Sequence, residues 1–122
     1  MPRERLAALL IKTHKIALLK SNWDSYNAPP ASPDVLRLAQ NFLLLLKEDF
    51  LPEVIGPIAD GVYMSWGKTR IEMFVTRVDM YLCLWNLEKN IVDAVEVSSH
   101  LDSFPALLAK LKSMCEAIKN DP

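Results

Sequence analysis

At 122 residues the chain has room for one domain around a single core, and 51% hydrophobic against 24% charged residues exclude a disordered, charge-dominated segment. Fourteen basic and fifteen acidic side chains give a formal net charge of −1 and a pI near 6.1, so the basic excess that phosphate-backbone binding draws on is missing and nucleic acid is disfavoured as a partner. The longest apolar run, Phe42 to Leu46, falls far short of the roughly 20 residues of a membrane span, and no small-residue cleavage site follows the N-terminal charges, so the expectation is a soluble, cytoplasmic protein with no membrane partner.

From Arg3 to Lys20, Leu6, Leu9, Leu10, Ile16, Ala17 and Leu19 recur at helical spacing between basic residues, which predicts an amphipathic helix. The charges Arg3, Arg5, Lys12, Lys15 and Lys20 read as its solvated face. Turn-forming residues begin at Asn22, and Pro29 and Pro30 prevent the helix from continuing. Ser32-Pro33-Asp34 opens a second helix: Ser32 as N-cap, Pro33 in the first turn, and Asp34 at the positive end of the dipole. Its apolar pattern runs to about Asp49. The successive leucines 43–46 point around its whole circumference, so the helix is expected either to be central and covered on two sides or to meet another chain.

Beyond Pro52 the period changes from 3.6 to 2. Val62, Met64 and Trp66 alternate with Tyr63 and Ser65. Ile71, Met73 and Val75 alternate with Glu72, Phe74 and Thr76. Met80, Leu82 and Leu84 alternate with Tyr81, Cys83 and Trp85, and a further strand covers Ile91 to Val97. Asp60-Gly61, a two-residue Gly67-Lys68 turn and Glu88-Lys89-Asn90 provide short connections, which favour an antiparallel meander of about four strands. Met64, Ile71, Met73, Val75, Leu82 and Leu84 are assigned to the helix-facing side, with Trp66 and Trp85 on or beside the sheet. Asp102 or Ser103 caps a third helix with Pro105 in its first turn and Leu107, Leu108, Leu111, Met114, Cys115 and Ile118 as its stripe. The expected architecture is a single α+β domain over residues 1–122, with two N-terminal helices and one C-terminal helix on the antiparallel sheet.

The densest cluster of chemistry-bearing residues is the stretch Asn22 to Asp34. Trp23, Asp24, Tyr26 and Asn27 are the candidate binding residues, because aromatics with polar tips supply interface anchors. The competing reading is a structural corner, with Asp24 in an Asx-type turn and the two rings covering the end of the helical layer. Trp23-Asp24-x-Tyr26-x-Ala28, the Pro-rich link, the helix opening at Ser32-Pro33, and Pro57 followed by Asp60-Gly61 and Trp66 together resemble a group of small uncharacterised bacterial and phage proteins. That group carries W-D-G-Y-x-A and D-G-G-x-x-x-x-W patterns. The likeness covers roughly Trp23 to Val75, and Ser25, Asn27 and Val62 stand where glycine is common in the group. It implies kinship of fold and carries no activity.

Enzyme signals are sparse. His14 and His100 have no companion Cys or carboxylate at ligand spacing, so no metal is expected, and three glycines leave no phosphate loop or dinucleotide fingerprint, so no cofactor is expected. Cys83 and Cys115 are isolated thiols at positions that pack, where a cysteine is inert. These residues point to a non-catalytic protein-interaction or inhibitor module that masks or scaffolds another protein, in the manner of an antitoxin, an immunity protein or a phage inhibitor. The alternative is a small hydrolase or transferase using Asp24 and a His. The surplus leucine adds the expectation of a homodimer.

Overall fold

The computed structural model describes residues 4–19 and 31–120. Helix α1 (Glu4–Ala17) buries Leu6, Leu9, Thr13 and Ile16, one residue per turn. Thr13 is the polar member of that stripe, and its hydroxyl donates to the Leu9 carbonyl at 2.9 Å, so its burial leaves no unpaired group. Helix α2 (Pro33–Leu45) starts as its sequence dictates: the Ser32 hydroxyl accepts the Val35 N–H at 3.3 Å. It stops four residues before the expected end. Leu46 takes extended backbone (φ −83°, ψ 139°), and a short 3-10 turn follows at Glu48–Phe50.

Of the two alternatives for α2, the structure shows the first, a helix covered on two sides. Val35, Leu36, Ala39, Phe42 and Leu43 are buried, and Phe42 meets Phe104 of the C-terminal helix edge-on, with ring centroids 5.5 Å apart. The helix packs against α1 and against the sheet, so it is the central element of its layer. Leu44 and Leu45 nevertheless lie half exposed, at 52% and 55%.

The sheet has five strands rather than about four, in simple sequential order and antiparallel throughout: β1 (Val54–Ile58), β2 (Gly61–Trp66), β3 (Ile71–Thr76), β4 (Asp79–Trp85) and β5 (Ile91–Ser98). The unexpected strand is β1. Its sequence, Val-Ile-Gly-Pro-Ile, reads as a loop, but β1 is an edge strand and an edge tolerates the N–H that Pro57 lacks. A two-residue turn at 59–60 joins it to β2, with Asp60 at φ 52°. Gly61 is obligatory next to it, because a Cβ there would come within 2.3 Å of the Val75 carbonyl oxygen.

The expected two-residue Gly67-Lys68 turn is instead a four-residue loop, 67–70. Trp66 still pairs with Ile71, and the loop is closed by the Arg70 N–H on the Gly67 carbonyl at 3.1 Å. The register is the one expected. Met64, Trp66, Ile71, Met73, Val75, Leu82 and Leu84 are all buried beneath the helices, together with Val62 and Met80. Trp66 also finds a partner for its indole, which donates to the Phe50 carbonyl at 2.7 Å.

Helix α3 (Phe104–Lys119) buries Phe104, Leu107, Leu111, Met114 and Cys115. Neither Asp102 nor Ser103 caps it by a side chain. His100 does the local work, its Nδ1 accepting the Asp102 N–H at 3.1 Å at the head of a 3-10 turn, Leu101–Ser103, that runs into the helix. The helices follow the strand order: α1 contacts β1, α2 contacts β2 and β3, and α3 contacts β4 and β5. Lys110 of α3 reaches Asp93 of β5 at 2.8 Å. Among the described residues no helix is long and apolar enough to cross a membrane.

Candidate functional site

With the helices on one side, the alternation of each strand sends the complementary side chains to the opposite face. The pairing register lines these up in rows. Gly56, Tyr63, Phe74, Tyr81 and Glu96 form one row across all five strands, and Ser65, Glu72, Cys83 and Ala94 form the next. Three adjacent strands therefore carry a continuous aromatic ladder. The Tyr63 and Phe74 rings are 5.3 Å apart, and those of Phe74 and Tyr81 are 6.4 Å apart. All three are half-buried, and exposed Val54 lies on the same face of β1.

Beside the ladder, Glu72 holds the face together. One carboxylate oxygen accepts the Tyr63 hydroxyl and the other accepts the Trp85 indole N–H at 2.7 Å, so both oxygens are engaged. The small residues of this row, Ser65 and Cys83, are buried although none of the described helices covers them. Burial pushes the Tyr63 phenol above its ordinary value of 10.0, and the hydrogen bond to Glu72 adds to the rise. Burial likewise raises the Cys83 thiol above 9.0, with the Glu72 charge as the next cause. Cys115 is raised above the same value by burial. Both cysteines are thus held as thiols, which suits packing and not nucleophilic attack. At the β5 end of the ladder, Glu96 is raised above its ordinary value by Asp79, first through a hydrogen bond between the two side chains and then through like charge.

The candidate binding residues Trp23, Asp24, Tyr26 and Asn27 lie outside the described residues. The two histidines do not meet: His14 is exposed on α1, and His100 is exposed at the head of the 101–103 turn, 3.3 Å from the Asp102 carboxylate. Among the described residues no group of three His, Cys, Asp or Glu side chains is placed to hold a metal ion. The ladder was hidden in plain alternation. Tyr63, Phe74 and Tyr81 each occupy the non-core phase of a strand, but only the pairing register shows that they stand side by side. No family model matches the chain, and neither a curated protein nor a solved structure matches it significantly.

Proposed function

We propose that the protein is a non-catalytic interaction module that docks another protein on the uncovered face of its sheet, with Tyr63, Phe74 and Tyr81 as the anchor. The observation that supports this reading is the ladder itself. Aromatic side chains in adjacent register, half-buried on a face that none of the described helices covers, are the residue types that dominate interface hot spots. Glu72 adds preorganisation, because its carboxylate holds the Tyr63 hydroxyl and the Trp85 indole and so lowers the ordering cost of binding. Activity of the antitoxin, immunity or inhibitor type fits such a surface, since masking a partner requires complementarity and no reaction.

The test compares co-purification from extracts of the native host for the wild type, Tyr81→Ala and Glu116→Ala, the last being an exposed position on α3. A species retained by the wild type and Glu116→Ala but lost with Tyr81→Ala, at unchanged melting temperature, supports the reading. A species retained equally by all three proteins refutes it.

A further inference from the structure

The end of the sheet where the β2–β3 loop meets the β4–β5 turn holds a half-open cleft of ≈ 360 Å³, within the size range of small-molecule sites. Lys68, Thr69 and Arg70 line it from one connection, and Asn86, Leu87 and Lys89 from the other, with Trp85 and Glu72 as its wall towards the sheet. Its electrostatics run against those of the chain. The protein carries a net charge of −1, whereas among the described residues the cleft is lined by the cations Lys68, Arg70 and Lys89 and by one carboxylate, Glu72, both of whose oxygens are taken by Tyr63 and Trp85; a second carboxylate, Glu53, accepts the Lys68 backbone N–H at 2.9 Å beside it. Arg70 is tied to the framework by its Nε on the Trp85 carbonyl at 2.7 Å. Lys68 and Lys89 have no ion-pair partner among the described residues.

The backbone supplies an independent observation. Of the four non-glycine residues at positive φ among the described residues, three line this cleft: Lys68 at 55°, Thr69 at 69° and Lys89 at 67°. The left-handed region is costly for residues with a Cβ and most costly for a β-branched one, and such conformations gather at ligand clamps. Here they set the direction in which both free lysines leave the chain.

We propose that this cleft is a binding site for a phosphomonoester attached to a planar ring, of mononucleotide size and chemistry. The phosphate is held by the Lys68 and Lys89 ammonium groups, which act as point charges on a dianion. The ring lies against the apolar surface of Trp85 and Leu87, the latter 62% exposed. The site stands at the end of the sheet, away from the Phe74–Tyr81 part of the ladder, and it does not depend on the docking reading above.

The test is a two-dimensional amide and indole NMR titration of the full chain with AMP, GMP, CMP and UMP, and with inorganic phosphate and adenosine as the separated halves. The expected result is saturable shifts at 67–70, 86–89 and the Trp85 indole N–H for at least one nucleotide at millimolar concentration, with both halves weaker. Lys68→Ala and Lys89→Ala should each weaken binding about two- to fivefold, as loss of one solvent-facing charge contact gives, and the double variant about tenfold. Lys12→Ala, which removes an exposed lysine on α1, should bind as the wild type does. Absence of shifts with all four nucleotides, inorganic phosphate binding as well as the best nucleotide, or undiminished binding by a folded double variant would each overturn the proposal.

Discussion

Replacing Glu72 should destabilise the protein in proportion to the hydrogen bonds that the new side chain cannot remake. Its carboxylate accepts from two half-buried donors of different kinds, the Tyr63 hydroxyl and the Trp85 indole N–H. An indole can only donate, whereas a phenol oxygen can also accept. A glutamine at this position therefore has one orientation that satisfies both partners, with its carbonyl on Trp85 and its amide N–H on the Tyr63 oxygen. The expected cost of Glu72→Gln is about 1 kcal/mol or less, for the loss of charge assistance. Methionine fills the same space and satisfies neither partner, which strands two donors that are only partly open to water, so Glu72→Met should cost about 2–3 kcal/mol. For a chain of this size that corresponds to a fall of about 1–2 M in the urea midpoint, measured by circular dichroism with the slope of the transition unchanged. Removing the carboxylate should also move the Tyr63 phenol back towards 10.0 in an ultraviolet pH titration. The shift should be partial, because burial is its largest cause. A methionine variant within about 0.5 kcal/mol of the wild type, or a glutamine variant as unstable as the methionine one, would refute the two-donor account.

Leu82 is fully buried on β4, an interior strand of the sheet, so Leu82→Ala should cost about 2–5 kcal/mol in chemical denaturation; a cost below that range would mean that the site collapses around the missing atoms. The half-exposed Leu44 and Leu45 should support a homodimer, seen in sedimentation as twice 13.8 kDa and converted to the monomer by Leu44→Glu with Leu45→Glu; a wild-type monomer throughout the micromolar range would refute it. Tyr63 and Cys83 both titrate higher in the folded chain than their ordinary values of 10.0 and 9.0, so their neutral forms favour folding. Their contribution is complete below about pH 9 and is lost as pH rises through the folded values, so melting temperature should fall on the alkaline side and should fall less in Cys83→Ala.

The helical layer and the register of the sheet were legible because each carries a repeated physical signal. Ser32 and Pro33 marked a helix start that depends on local hydrogen bonding alone, and alternation in three strands fixed which side chains face the core. The errors fall where no local signal exists. The apolar run 42–46 gave no mark for the end of α2, because Leu46 leaves the helix and stays buried. Strand β1 was hidden by Gly56 and Pro57, whose presence is acceptable only at an edge, and being an edge is a property of the whole sheet. The Gly67 loop is longer than its composition suggests because three successive residues take positive φ, including a lysine and a threonine that propensity would not place there. The candidate site is the extreme case. Its rows are built across successive strands, and cross-strand neighbours cannot be counted before the pairing register is known.

The central claim is that the uncovered face, and not the helical layer, receives a partner protein. Its most direct test places a photo-crosslinking aromatic amino acid at Tyr81 and, separately, at exposed Glu116 of α3, and illuminates each protein in native extract. The account predicts a discrete heterologous adduct from position 81, suppressed by excess unlabelled wild type and not by excess Tyr81→Ala, with none of that species from position 116. The same adduct from both positions, or one from position 116 alone, would contradict it.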